Sequence, residues 1–389
     1  MKSLIQQLAE KYQEDCVSMR HHLHAHPELS FEEHETSRYI QSKLTEWRIP
    51  FQVMAGTGVV GLIEGNEPQS RITALRADMD ALPIHEENNV PYRSVTPGVM
   101  HACGHDVHTT CLLGAARILQ ETRDKWHGTV KLIFQPGEEK NPGGASIMIR
   151  EGVLENPAPE RIFGMHVHPL LPSGTFSFRG GKVMASADEI YITVKVKGGH
   201  AAAPHLTADS IVIASQIVLS LQQIVSRNNN PLNPTVLSIT SVQGGNTTNV
   251  IPSEVKMMGT LRAMDEAWRF KAHELIRQQV EQIAVALGGE ATVHIDVGYP
   301  FVFNNEALTD WARRKASELM GENKVSETEL RMGAEDFAFY SHRIPGCFFR
   351  LGVGTETINS NVHTPTFNID EQAIQYGVAM MAWLAIADD

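Results

Sequence analysis

Residues 101–134 read HACGHDVHTTCLLGAARILQETRDKWHGTVKLIF, and this stretch predicts a helix followed directly by a strand. The helix candidate runs from His105 to Thr122 and the strand from Thr129 to Phe134. Strands that alternate with helices are typical of an α/β domain with a largely parallel sheet. The same alternation extends toward the N-terminus and beyond the strand, with a helix predicted at Phe31–Trp47 and buried strands at Val59–Ile63, Ile72–Leu75 and Ile162–Val167.

The middle of the chain follows a different order. It predicts strand, helix, strand, strand, helix and strand, which is the order of the ferredoxin-like α+β module. After this module the chain returns to helix, strand and helix at Leu308–Met320, Cys347–Gly352 and Asp370–Ala387. We therefore expect a catalytic domain formed by residues 1–186 and 299–389, with a second domain, residues 187–298, inserted into it. The six predicted elements of the insert are Ile190–Val196, Ala208–Val225, Thr235–Val242, Val255–Arg262, Ala267–Leu287 and Ala291–Val297.

Length and composition agree with a two-domain globular enzyme. A chain of 389 residues is too long for one ordinary hydrophobic core. The net charge of -12 argues against nucleic acid and anionic membrane as partners, because both favour clustered Lys and Arg. The N-terminal residues lack the layout of a signal peptide, and four scattered cysteines do not form a disulfide framework. A cytoplasmic location is the expectation.

Residues able to bind metal are concentrated in two motifs. Cys103 and His105 flank a glycine just before a helix candidate, and thiolate with imidazole suits zinc or a related divalent ion. Glu138 and Glu139 follow a strand and a Pro-Gly turn, so that their side chains point in different directions. One carboxylate can bind a metal while its neighbour acts as general base on water.

Two further motifs add imidazoles. His166 and His168 close another apolar strand, and only one of them is expected to be a ligand; His363 lies in a loop before the last helix. Each motif alone is also compatible with an ordinary structural role. Together they supply one thiolate, three imidazoles and one carboxylate, about the ligand set for two metals that share a bridge, and leave one carboxylate as a base.

These motifs resemble the amidohydrolase branch of the co-catalytic metallopeptidases. That branch includes hippurate hydrolases, N-acyl amino acid aminoacylases and plant auxin-conjugate (IAA-amino acid) hydrolases, with carboxypeptidase G and aminoacylase-1 as distant relatives. The resemblance covers nearly the whole chain, because it also includes RHHLHAHPELS at 20–30, ALRADMDAL at 74–82, GAEDF at 333–337 and HTP at 363–365. It implies a zinc-exopeptidase type of fold (phosphorylase/hydrolase-like) whose insert is a lid and dimerisation domain.

The resemblance also implies a mechanism with two divalent ions per chain. Cys103 would bridge the ions, His105 and His166 would complete one site, and Glu139 and His363 the other. Glu138 would be the general base that activates a metal-bridging hydroxide for attack on the amide of an N-acyl amino acid. The thiolate favours zinc, and manganese, cobalt and nickel are the alternatives.

The resemblance assigns further roles outside the ligand set. Distant relatives carry a histidine where this chain has Arg76, which leaves the role of Asp78 open. In the insert, His200 would stabilise the oxyanion in the active site of the partner subunit of a homodimer. Asn249 and Arg262 would bind the carboxylate or carbonyl of the substrate.

Other functions are compatible with parts of this pattern. A dipeptidase or carboxypeptidase of the same family is the nearest alternative. A cysteine hydrolase based on Cys103, a binding protein without catalysis and a structural zinc protein are the others. The first does not explain the paired Glu138 and Glu139, the second would usually have lost ligands that are all present here, and the third would not need the spare Glu138. The acyl group and the amino acid are not readable from the sequence.

Overall fold

A computed structural model describes residues 1–388 and divides into two compact units. The first unit contains Met1–Val183, Val302–Glu329 and the residues from Asp336 onward, and the second contains Met184–Phe301 with Leu330–Glu335. The helices are α1 (Lys2–Lys11), α2 (Gln13–Ala25), α3 (His34–Glu46), α4 (His105–Glu121), α5 (Gly144–Arg150), α6 (Ser210–Gln223), α7 (Glu266–Ala286), α8 (Glu306–Met320), α9 (Ala338–Ser341) and α10 (Gln372–Ile386).

The strands follow the same chain order. They are β1 (Phe51–Met54), β2 (Gly58–Glu64), β3 (Ile72–Asp78), β4 (Thr129–Gln135), β5 (Arg161–Pro172), β6 (Phe176–Phe178), β7 (Gly181–Met184), β8 (Asp188–Lys195), β9 (Gly199–His200), β10 (Thr235–Gln243), β11 (Val250–Ile251), β12 (Glu254–Ala263), β13 (Glu290–Val297), β14 (Val302–Asn304), β15 (Val325–Glu327) and β16 (Gly346–Gly354).

The first unit is built on an eight-stranded sheet in the order β1-β2-β4-β3-β5-β16-β6-β15. Its central strands β4, β3, β5 and β16 are parallel, whereas β1 and β2 are antiparallel to their neighbours. Every residue of β3 and of β4 is buried, as expected of strands covered on both faces. Helix α4 is buried over most of its length and packs against α2 and α10. The predicted α/β class with a mostly parallel sheet is confirmed.

The second unit is a four-stranded antiparallel sheet in the order β10-β12-β8-β13, packed against α6 and α7. This is the strand order of a ferredoxin-like module. Strand β8 alternates buried and exposed residues, with Ile190, Ile192 and Val194 in the core. Asp209 and Asp265 cap the two helices by accepting backbone N–H bonds at their first turns.

The N-terminal helices differ from the sequence-based expectations, and the later start of α3 has a local physical cause. The helix predicted from Phe31 begins at His34, because Phe31 has a left-handed backbone with a φ of 69°. Helices α1 and α2 were not predicted.

Within residues 1–388, the helical stretch Ser210–Asn228 is long and apolar enough to cross a membrane by length and composition alone. This is weak evidence for a membrane span, because a core helix passes the same test.

Candidate metal centre and active site

Cys103 lies at the centre of the predicted ligands. Its Sγ is 3.4 Å from Nε2 of His166, in the middle of β5, and 3.3 Å from Nε2 of His363, in a distant loop. Gly104, between Cys103 and His105, has a φ of 86°, and a Cβ there would lie 2.5 Å from a methyl group of Val167. Only glycine fits this turn, so the motif holds the thiol against the middle of β5 before α4 begins.

The five predicted ligands form two adjoining groups. The candidate ligand atoms of Cys103, His105 and His166 lie within 4.8 Å of one another, and so do those of Cys103, Glu139 and His363. The carboxylate Oε1 of Glu139 is 3.3 Å from His363 Nε2 and 3.9 Å from His105 Nε2, which joins the groups. Cys103 is therefore the one member common to both.

The donor atoms fit divalent metal ions. Nε2 of His105 is buried without a hydrogen-bond partner, and the buried Oε1 of Glu139 lies 3.9 Å from it. Buried polar atoms without partners are costly, and an imidazole nitrogen and a carboxylate oxygen pointing at one place are satisfied together by a cation. Sulfur, nitrogen and oxygen donors in this ratio suit zinc and neighbouring transition metals.

The electrostatics of the cluster also favour positive charge. Hydrogen bonds to Cys103 and then Glu139 raise the pKa of His363 to about 10, against the effect of burial. Burial raises the pKa of the Cys103 thiol. Burial, followed by the charge of Arg350, holds the pKa of His166 well below its usual range, so His166 is a neutral imidazole able to bind metal.

Asp80 forms hydrogen bonds with one predicted ligand from each of the two groups, His105 and Glu139. Its Oδ1 is 3.1 Å from Nδ1 of His105, while its Oδ2 accepts the backbone N–H of Glu139 at 3.0 Å and the hydroxyl of Ser30 at 2.6 Å. A histidine that donates Nδ1–H to a carboxylate presents Nε2 to a metal in a fixed orientation. The sequence analysis did not select Asp80, although it stands two residues after Asp78 and so on the same face of the strand end.

Asp78 contacts His108, which, like Asp80, the sequence analysis did not select. Its Oδ1 accepts a hydrogen bond of 2.6 Å from Nδ1 of His108, and its Oδ2 accepts one of 2.6 Å from Arg76. Nε2 of His108 in turn accepts the backbone N–H of Val167 at 2.9 Å. The residue before Val167 is the predicted ligand His166, whose Nδ1 lies 2.8 Å from the Val167 carbonyl, leaving Nε2 toward Cys103.

Glu138 is buried beside the cluster. Its carboxylate lies within 4.8 Å of the candidate ligand atoms of His105 and Glu139. It follows the turn at Gly137, where φ is 57° and a Cβ would lie 2.4 Å from the ring of Phe31. The turn thus ends β4 and carries two consecutive carboxylates into the same region, one of them in the predicted ligand set.

The other predicted residues belong to the second unit. His200 is exposed on β9, and its Nδ1 accepts the N–H of Ala202 at 3.0 Å. The structure brings Asn249 beside it, because the Asn249 carbonyl accepts the N–H of Ala201 at 3.0 Å. Arg262 is partly buried on a different strand, β12, and is not part of this pair.

Comparisons with known proteins agree with this geometry. The model of peptidase family M20/M25/M40 matches residues 74–387. The chain is 41% identical over 373 residues to an N-acetylcysteine deacetylase of Bacillus subtilis, covering 95% of this chain and 96% of the relative. It is 40% identical to thermostable carboxypeptidase 2 of Saccharolobus solfataricus, covering 95% and 94%. A solved structure, the YXEP protein of Bacillus subtilis, described as a dinuclear metal-binding peptidase, is 37% identical with a TM-score of 0.83 over 97% of this chain and 98% of that one.

Proposed function

The chain belongs to peptidase family M20/M25/M40, a family of metal-dependent amidohydrolases and peptidases, and on that premise we propose that it hydrolyses the amide bond of N-acyl amino acids. The observation that carries the proposal is the pair of buried candidate ligand atoms, Nε2 of His105 and Oε1 of Glu139, which lie 3.9 Å apart and are grouped around Cys103 with Glu138 beside them. The products are a carboxylic acid and a free amino acid.

In this proposal two divalent ions are held by the predicted ligands. Cys103, His105 and His166 hold one, and Cys103, Glu139 and His363 hold the other. When bound, the ions polarise the acyl carbonyl and lower the pKa of water. Asp80 and His108 keep the ligands His105 and His166 in the orientation that binding requires.

Glu138 performs the proton transfers. It accepts a proton from the attacking water and donates it to the amide nitrogen as the C–N bond breaks. Support comes from its burial and from its place next to a ligand, within 4.8 Å of the donor atoms of His105 and Glu139. A buried carboxylate that lies beside the predicted metal ligands, and is not itself assigned to a metal, suits a general base.

The second unit contributes substrate contacts. His200 of the partner subunit stabilises the oxyanion, while Asn249 and Arg262 bind the carboxylate or carbonyl of the substrate. The exposure of His200 on the short strand β9 supports this role, since its ring is available to another chain. Exposed apolar side chains on α6 and on the edge strand β10 support a homodimer, among them Val212, Leu219 and Val236.

Two further parts of the proposal concern metal and location. Zinc is the ion we expect, because Cys103 offers a thiolate to both groups of ligands. We place the enzyme in the cytoplasm, which its four free and buried cysteines support.

The nearest competing activity is that of a carboxypeptidase. The relative from Saccharolobus solfataricus carries that name and is almost as similar as the deacetylase. Both activities use the same ligands and base, so they differ only in which substrate fits.

The test combines metal content with a substrate panel. Enzyme purified without chelator is assayed for metal per chain and for release of free amino acid from acetyl, benzoyl and indole-acetyl amino acids and from dipeptides. We expect close to two metals per chain and turnover of acyl amino acids that chelation abolishes. Turnover of dipeptides alone would establish the carboxypeptidase or dipeptidase alternative, and an enzyme active without metal would contradict the proposal.

A further inference from the structure

The histidine-rich motif at residues 20–26 presents two different faces. Arg20 and His24, one helical turn apart on α2, are buried and both bind the carboxylate of Asp106. His22 and His26 are also four residues apart but lie on the opposite side, where both are exposed. Residues separated by four positions are neighbours on a helix, and those separated by two are not. The exposed pair therefore has no part in the network around Asp106.

The two exposed imidazoles are spaced for a shared ion. The ring centroids of His22 and His26 lie 4.6 Å apart, with the rings tilted by 35°. When two ring nitrogens each lie about 2.0–2.1 Å from one ion, the ring centroids are roughly 4.5–5.2 Å apart for ordinary coordination angles. Two histidines at this sequence spacing are also the arrangement that binds zinc on the helices of metalloproteases.

The local hydrogen bonds leave a defined nitrogen available. His26 follows the last residue of α2, and its Nδ1 lies 2.7 Å from the carbonyl of His22, which makes Nδ1 the donor and Nε2 the free nitrogen. Histidines that bind metals typically donate their other N–H in this way. Burial, then the neighbouring His26 and Lys43, lowers the pKa of His22, so that its ring is neutral at pH 7.

The pair opens into a cavity with room for further ligands. The cavity has a volume of about 570 Å³ and is lined in part by Glu28, Glu35 and Tyr39. Tyr39 stacks on the ring of His22 at 4.1 Å and limits its motion. The Glu28 carboxylate accepts the backbone N–H groups of Glu35 and Thr36 at the start of α3, and the Glu35 carboxylate pairs with Arg38, so the remaining coordination positions are left to water.

We propose that His22 and His26 form an accessory site for one divalent transition-metal ion of the kind that imidazole prefers, such as Ni²⁺, Cu²⁺ or Zn²⁺. The site is separate from the catalytic cluster, because neither histidine belongs to a ligand group of that cluster. Bound metal joins the last turn of α2 to the residue that follows it. It thereby stabilises the helix whose other face carries Arg20 and His24.

The experiment titrates the metal-loaded enzyme with Ni²⁺ in a calorimeter and measures the melting temperature with and without Ni²⁺. Wild type is expected to bind one Ni²⁺ per chain more than His26→Ala or His22→Phe, or to bind it at least about tenfold more tightly. Ni²⁺ should raise the melting temperature of wild type and not of the variants, since a ligand that binds only the folded state stabilises it. His22→Phe keeps an aromatic ring against Tyr39.

The matched control is His127→Ala, which removes a single exposed histidine paired with Glu67. This control should bind Ni²⁺ as wild type does. Exchange of Ni²⁺ into the catalytic cluster would affect wild type and the three variants alike, so it would cancel when their Ni²⁺ binding is compared. Equal Ni²⁺ binding by wild type, His26→Ala and His22→Phe would overturn the proposal, as would an absence of additional binding in wild type.

Discussion

The carboxylate of Asp80 lies 3.1 Å from Nδ1 of His105, and the opposite nitrogen of that ring is buried without a hydrogen-bond partner. The hydrogen bond therefore selects the nitrogen that faces the other ligands. Asp80→Asn should weaken metal binding by about 10–100-fold, because the amide is a poorer acceptor and cannot hold the ring as firmly. A competition assay with a chromophoric chelator measures the change.

The control for this change is Asp15→Asn. Asp15 is exposed and pairs with Arg117 far along the chain, so its loss should leave metal affinity unaltered. Unchanged affinity in Asp80→Asn would show that the hydrogen bond to His105 does not govern metal binding.

Glu138→Ala should abolish turnover and leave metal content intact, because we assign Glu138 as the base, within 4.8 Å of the donor atoms of His105 and Glu139, and not as a metal ligand. Glu139→Ala is the informative comparison, since it removes a proposed ligand and should reduce metal content as well as turnover. Turnover and metal content are measured on the same preparations. Normal turnover in Glu138→Ala would rule out the assignment of this residue as the base.

Metal uptake by the metal-free protein should release protons. At pH 7 the thiol of Cys103 is protonated because burial raises its pKa, and His363 is protonated because hydrogen bonds to Cys103 and Glu139 raise its pKa to about 10. Burial alone would lower the pKa of His105, but the charge of Asp78 outweighs it and raises that pKa well above its usual range, so His105 is protonated as well. All three groups must lose a proton to bind metal, so about three protons per chain should be released. Calorimetry in buffers with different ionisation enthalpies counts them. Release of none would show that these three residues are not ligands.

A composite active site should permit complementation between two inactive variants. If His200 of the partner subunit completes each site, a mixed dimer of His200→Ala and Glu138→Ala contains one site with both residues intact. After full subunit exchange, half of the dimers are mixed, and activity should recover to about a quarter of the wild-type rate. The measurement is turnover before and after mixing under exchange conditions. A mixture as inactive as its components, with exchange verified by labelled chains, would contradict the shared site.

Arg20→Met should lower the free energy of unfolding by about 3–5 kcal/mol, because it removes the guanidinium partner of the buried carboxylate of Asp106 and leaves His24 alone beside it. Burial alone would raise the pKa of Asp106, but Arg20 and then His24 outweigh it and hold that pKa far below its usual range. The stabilisation is thus present above about pH 4, the range of an unfolded aspartate, and lost as pH falls further.

The difference in unfolding free energy between wild type and Arg20→Met should therefore be largest near pH 7 and shrink in acid. Urea denaturation at several pH values measures it. Arg38→Met, which removes an exposed pair with Glu35, should change stability by no more than about 0.5 kcal/mol. A difference that does not vary with pH would indicate that packing of Arg20, rather than its charge, accounts for the effect.

The sequence was sufficient for the α/β class and for selecting the five ligand candidates, because each of them stands in a short motif rich in residues able to bind metal. Cys103 and His105, for example, share one turn fixed by Gly104. The assignment of individual roles to these residues stays a prediction.

The sequence was not sufficient for the residues that orient the ligands. Asp78 and Asp80 are equivalent in the sequence pattern, and only the three-dimensional structure shows that the first binds His108 and the second binds His105. Helix α2 was missed for a related reason. Its four histidine and arginine residues at 20–24 read as polar, but Arg20 and His24 are buried because Asp106, distant in the sequence, compensates their polarity.

The position of β16 in the sheet has a consequence for the order of assembly during synthesis. This strand, Gly346–Gly354, pairs with β5 and β6, which the ribosome makes long before it. All four strands of the second unit's main sheet lie between Asp188 and Val297, so that sheet can form while the edge of β5 is still open. The second group of predicted ligands also depends on this late stretch, because His363 follows β16 in the chain. The two groups are therefore completed at different stages of synthesis, and a nascent chain stalled before β16 would expose the unpaired edge of β5 to chaperones and proteases.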